Sequence, residues 1–158
     1  MSYLILKYLH LLSLVLLFGT GLGSAWYKLM ADRRGDLAGL VCVNSLVVRA
    51  DWLFTLPTVI LQPLTGLGMA HLLGLPLHSP WIIISLLLYT VAALCWLPVV
   101  WLQIRMRDLS RQCLATDQPL PERYHLYARY WFWLGVPAFG CMLLILFLMI
   151  FKPTGGLT

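Results

Sequence analysis

The chain alternates long apolar runs with polar breaks, and the charges mark the breaks. No Lys, Arg, Asp or Glu occurs between Lys7 and Lys28, from Trp52 to Ile104, or from Tyr130 to Phe151. A transmembrane helix needs roughly 20 apolar residues. The first and last runs each supply one helix. The middle run is long enough for two, and LGLPLHSP (73–80), with Gly74, Pro76 and Pro80, divides it. The pattern predicts transmembrane helices near 4–27, 50–72, 80–103 and 128–151, forming one domain over 1–158. The fold class is all-α, an integral membrane four-helix bundle. The first run is expected to stay as helix one rather than be removed as a signal peptide. It is too long, lacks a basic start and has no well-placed small-x-small cleavage site.

Composition agrees with the pattern. Sixty-one per cent of residues are hydrophobic and 11% are charged, against about 25% charged in a soluble domain. The distribution of arginine then sets an orientation. Arg33, Arg34 and Arg49 lie in or beside the first loop, and Arg105, Arg107, Arg111, Arg123 and Arg129 cluster around the third, while the second loop has no Lys or Arg. The positive-inside rule places loops one and three in the cytoplasm. Both termini and the loop at 73–80 then face outward, which in a bacterial inner membrane is the periplasm. The run RYHLYARYWFW (123–133) fits an aromatic belt at the cytoplasmic start of helix four. The net charge of +5 follows from these loops and does not point to nucleic acid.

Two families of small signals carry no chemistry. Cys42, Cys95, Cys113 and Cys141 form no CxxC and read as structural thiols rather than a disulfide framework. Gly19, Gly21 and Gly23 lie inside a membrane helix with no strand before them, so they are not a dinucleotide fingerprint. Gly19 and Gly23 form a GxxxG, read as a close-packing surface between helices and a route to a homodimer.

The one ionisable residue inside the first run is His10. Such a group is costly in lipid and is by default a functional-site hypothesis. At about 100° per residue, Ser13, Leu17, Thr20, Gly21 and Ser24 share its face, a small and polar stripe that directs His10 into the bundle. Helix two offers a matching arc: Asp51, Thr55, Thr58, Gln62, Thr65 and Met69. Pro57 and Pro63 bend that helix, and Gly66 and Gly68 thin it. Bent, thinned helices leave room for something flat. No second His, Cys, Asp or Glu stands beside His10 at zinc spacing, and a proton relay lacks a nearby carboxylate. A b-type haem (heme b) needs only one or two axial ligands for its iron, small residues and apolar walls. On that reading His10 ligates the iron, Lys7 one turn outward meets a propionate, and Ser13 is the partner of the other ring nitrogen. His71 is the candidate second ligand, reached through the bend at Pro63–Gly68 or from a second subunit, with Met69 as the alternative on the better face. A packing histidine that bonds to a neighbouring helix is the competing reading. His78 reads as a solvated loop residue and His125 as interfacial.

LKYLHLLSLVLLFG resembles the opening of the HemJ-type protoporphyrinogen oxidases, LPTVILQPLTGLGM (56–69) their second-helix segment, and VPAFGCMLLILFLMIFKP (136–153) their last. The resemblance touches three of four helices. It implies that His10 is the haem-associated residue and that Pro137, Lys152 and Pro153 fall on matching positions. The family's lysine early in helix three is replaced by about Ser85, and its Asn-Glu before the last helix's Val-Pro by Leu134-Gly135. The nearer likeness is to a sister group of predicted integral membrane proteins. The resulting expectation is a haem-binding membrane protein in electron transfer or redox chemistry, with a quinone or another redox protein as partner. The alternatives are a HemJ-like oxidase and a haem-free accessory subunit.

Overall fold

The computed structural model describes residues 1–152. They form α1 (Ser2–Arg34), α2 (Leu37–Ala50), a π-helical turn (Asp51–Thr55), α3 (Leu56–Leu72), α4 (Pro80–Ala115) and α5 (Glu122–Phe151). Because α2, the π turn and α3 are continuous, there are four spans among the described residues, each long and apolar enough to cross a membrane. The protein is a four-helix membrane bundle. Its outer faces carry the long apolar side chains: Leu4, Val15, Leu22, Leu64, Leu87, Leu94 and Phe147 are all exposed. The interior holds much of the polar chemistry, including His10, Lys28, Asn44, Asp51, Gln62 and Gln103, an inversion of the soluble pattern that suits lipid as the solvent.

The helices are longer than hydropathy predicts. α4 has 36 residues, about 54 Å at 1.5 Å each, against a hydrocarbon core of about 30 Å. The surplus lies at the arginine-rich end, where the first loop shrinks to two residues. Gly35 ends α1 in the left-handed region at φ 71°, where a side chain would be strained. Asp36 then caps α2, its carboxylate accepting from the N–H groups of Ala38 (3.2 Å) and Gly39 (3.0 Å). A Cβ at Gly39 would lie 2.6 Å from that carboxylate, so this cap needs glycine three residues on. The stretch from Leu37 to Arg49, read from sequence as loop, is therefore the first half of a span.

The π turn has a covalent cause beside it. Pro57 has no N–H to give to the carbonyl four residues back, and just ahead of it the ladder widens so that Leu56 N–H bonds the Asp51 carbonyl. Such turns recur at functional sites.

α1 packs chiefly on α3, and α4 on α5. The two pairs are joined at the arginine-rich end, where α2 packs on both α1 and α4. A small apolar core sits there, built from Ala31, Leu40, Val99, Leu102, Met106, Tyr124 and Trp131. Within it Lys28, almost fully buried, donates to Asp32 (3.0 Å) and to the Tyr124 hydroxyl (3.2 Å). Tyr124 donates to Asp32 (2.8 Å) and accepts from Asn44 (3.1 Å), which also donates to Ser110 (3.2 Å). This network ties four helices at one end. At the other end the pairs part, and the space between them is the candidate site.

Candidate functional site

A cavity of about 340 Å³ lies between the helix pairs at the end that holds the N-terminus and the 73–80 turn. That volume falls within the usual range for small-molecule sites, roughly 300–1,000 Å³. Four helices contribute: Lys7 and His10 from α1, Gln62, Gly66 and Met69 from α3, Trp81, Ser85 and Tyr89 from α4, and Met142 from α5, with Lys152 just past its end. The walls are otherwise mostly aliphatic.

His10 is held from three sides. Its Nδ1 lies 2.9 Å from the Thr65 hydroxyl. That hydroxyl has a single hydrogen, and it is directed at the Leu61 carbonyl (2.6 Å). Thr65 therefore accepts from His10, so Nδ1 carries the proton and Nε2 keeps its lone pair. The His10 backbone carbonyl accepts from Ser13 (3.0 Å) and from the Gln62 amide (3.3 Å). Gly66 lets the ring approach α3: a Cβ there would meet His10 Cε1 at 3.3 Å, tighter than a side chain tolerates without displacing the imidazole.

The sequence-derived candidates separate into two groups. His10, Lys7 and Met69 border the one cavity, and Ser85, standing where the resemblance puts a lysine, borders it too. Ser85's hydroxyl donates to the Trp81 carbonyl (2.7 Å). Two placements differ from expectation. Ser13 bonds the His10 carbonyl, not its ring, because one turn of helix brings a serine hydroxyl back to the backbone at i−3; Thr65 from α3 takes the ring nitrogen. His71 is exposed and borders no part of the cavity. The Pro63–Gly68 stretch stays within α3, so the helix does not turn enough to bring His71 round to His10. His78 and His125 are exposed.

Sequence reasoning missed Tyr89, and it named Lys152 through the resemblance without placing it at this cavity. Tyr89's hydroxyl donates to the Val59 carbonyl, which is the carbonyl that Pro63, four residues on, cannot satisfy. The signal was present as a proline in one helix and a tyrosine in another, without the pairing that joins them. The Lys152 ammonium lies 5.8 Å from the centre of the Trp81 ring, which puts a second cation beside Lys7 at this cavity.

The Gly19–Gly23 stripe makes no close helix packing within the chain. A Cβ at Gly19 would meet nothing within 4 Å, and one at Gly23 only Tyr27 of the same helix. Both line an open groove between α1 and α2. The arc on the second span is buried as the periodicity implied: Asp51, Thr55, Thr58, Gln62 and Thr65 all face inward. Among the described residues no three or more His, Cys, Asp or Glu come together, so His10 offers a single nitrogen ligand rather than a share in a multidentate metal site.

The family described as "Predicted integral membrane protein (DUF2269)" matches residues 4–153, and the chain belongs to it. No curated protein and no solved structure matches the chain.

Proposed function

We propose that this member of the family binds a b-type haem in the His10 cavity and uses it in electron transfer or in redox chemistry on a small or membrane-soluble molecule. The observation that carries the reading is the hydrogen bond between His10 Nδ1 and the Thr65 hydroxyl. A histidine that ligates a metal donates its other ring N–H to a fixed acceptor, and Thr65 is such an acceptor, with its own hydrogen spent on Leu61. Gly66 supplies the space beside the ring. Lys7 and Lys152 border the same cavity as cations suited to paired carboxylates, which a haem carries as propionates. When bound, the haem supplies a one-electron couple. The chain's part is to orient the ligand nitrogen through Thr65, to surround the ring with apolar walls, and to pair the acidic edge with lysines.

The second iron ligand on this reading is Met69, which borders the cavity, or His71 of a second copy. A homodimer, an inner-membrane location and outward termini belong to the same proposal. So does a quinone or another redox protein as partner. The HemJ-like oxidase reading shares the His10 cavity but sets Ser85 where that resemblance places a lysine, and the oxidase chemistry would have to proceed without it.

The test is the visible spectrum of the protein purified in detergent, oxidised and dithionite-reduced, beside His10→Ala. The expected result is a Soret band that shifts on reduction, and its loss in His10→Ala. Colourless protein, even after haem is supplied, would overturn the proposal and leave His10 as a packing residue of an accessory subunit.

A further inference from the structure

A second cavity, of about 500 Å³, lies deeper between the same helix pairs, toward the arginine-rich end. Three buried polar atoms among the described residues make no hydrogen bond within 3.5 Å: Asp51 Oδ2, Gln103 Oε1 and Trp131 Nε1; the Gln103 side chain stands beside the Asp51 carboxyl, so these two form one polar pair. All three residues border this one cavity, and each is more than nine-tenths buried. An unpaired buried polar group is costly because it has given up water for nothing, and a native interior leaves few of them. Three at the margin of a single cavity give it a polar end. Asp51 sits in the π turn, and its other oxygen accepts from Thr55 (2.8 Å).

The complement can be read from the atoms. A carboxylate oxygen and an amide oxygen require donors, and an indole N–H requires an acceptor. The remaining wall is apolar and rich in flat rings, with Phe18, Trp96 and Phe139 among its residues. A molecule that enters from a bilayer must itself be apolar over most of its surface. We infer that the second cavity binds the head of a quinol: a planar ring with two hydroxyl donors directed at Asp51 and Gln103, a ring oxygen accepting from Trp131, and an apolar tail along the helices. The inference rests on the quinone partner proposed above and gives it a binding place, on residues that the haem site does not use.

The experiment is calorimetric titration of the purified full-length chain with a decyl-substituted benzoquinol, kept reduced under argon, and with its dimethyl ether, which has the same ring and tail but no donors. The expected result is saturable binding of the quinol at one per chain, with the ether at least tenfold weaker. Gln103→Leu and Asp51→Leu each weaken the quinol at least tenfold and leave the ether unchanged. Equal binding of quinol and ether would overturn the inference, since the cavity would then be only an apolar space. Absence of saturable quinol binding would overturn it too, leaving water as the partner of the three atoms. If the leucine variants do not fold, as judged by far-ultraviolet circular dichroism, the quinol–ether comparison on the unaltered chain still decides. The heat signal needs no Soret band, so a colourless protein leaves this inference standing while it removes the haem proposal.

Discussion

At the scale of single residues, the His10 site rests on one hydroxyl and one missing methyl. Thr65→Val keeps the shape of the side chain and removes the oxygen that holds Nδ1–H. On the haem reading, its expected effect is a loss of 10- to 100-fold in haem affinity, the usual consequence of deleting such a partner, with Thr65→Ser close to the parent. A haem titration followed at the Soret band measures both. Gly66→Val places branched carbon where even a Cβ would be 3.3 Å from the imidazole, and it is expected to empty the site while far-ultraviolet circular dichroism stays unchanged. His10 was legible in the sequence because lipid makes a lone ionisable group conspicuous. The buried arc from Asp51 to Thr65 was legible because helical periodicity is local. Thr65 as the ring's acceptor was not. It lies 55 positions from His10 in sequence, and nothing in the spacing of either helix says which residue on the arc meets the ring.

At the scale of elements, prolines and buried charges set the energetics. Pro63 frees the Val59 carbonyl and Tyr89 on α4 takes it up. Tyr89→Phe leaves that carbonyl unpaired and is expected to cost about 1–3 kcal/mol, measurable as a lowered midpoint in thermal unfolding in detergent. The Lys28–Asp32 pair permits a sharper contrast. Asp32→Ala leaves a buried ammonium with the Tyr124 hydroxyl as its one hydrogen-bond partner; Asp32 is itself 20% exposed, so the expected cost is below the roughly 3–5 kcal/mol of breaking a fully buried pair. Lys28→Met removes the charge along with the need for a partner, and such apolar replacements are often neutral or stabilising. The expected order of melting temperatures is therefore Lys28→Met above Asp32→Ala; the reverse would mean that Lys28 is not held as the structure has it. The sequence understated these elements for a physical reason. Hydropathy reports the part of a helix that sits in lipid, whereas Arg49, Asn44 and Lys28 lie on helices that continue beyond it. The Gly35–Asp36 pair was a readable stop and start, a left-handed residue followed by an N-cap, which the neighbouring arginines obscured.

At the scale of the whole molecule, the bundle is fastened at one end and parted at the other. The four spans and the break at 73–80 were visible in the distribution of charge. The association of α1 with α3 and of α4 with α5 was not, because four apolar helices with short connections allow several arrangements. Orientation remains an expectation from the arginines, with a direct test. In inside-out and right-side-out vesicles of a cysteine-free background, a thiol at Ser79 should react with an impermeant reagent from the outer side and one at Gln118 from the cytoplasmic side. The open Gly19–Gly23 groove gives the homodimer its own test: Gly19→Leu is expected to lower the dimer fraction seen by chemical cross-linking in membranes, and an unchanged fraction would remove that groove from the interface.

Tyr89 and Met142 border both cavities, so the two chambers have these side chains in common. A phenol ring bonded to a proline-freed carbonyl cannot swing toward one chamber without giving space to the other. Any occupant that displaces this ring changes the standard free energy of filling the neighbouring chamber, and linkage requires the effect to be the same in both directions. The factor by which a ligand of the deeper chamber alters affinity in the His10 chamber must equal the factor in the reverse experiment. With Tyr89 replaced by alanine, that factor should approach one.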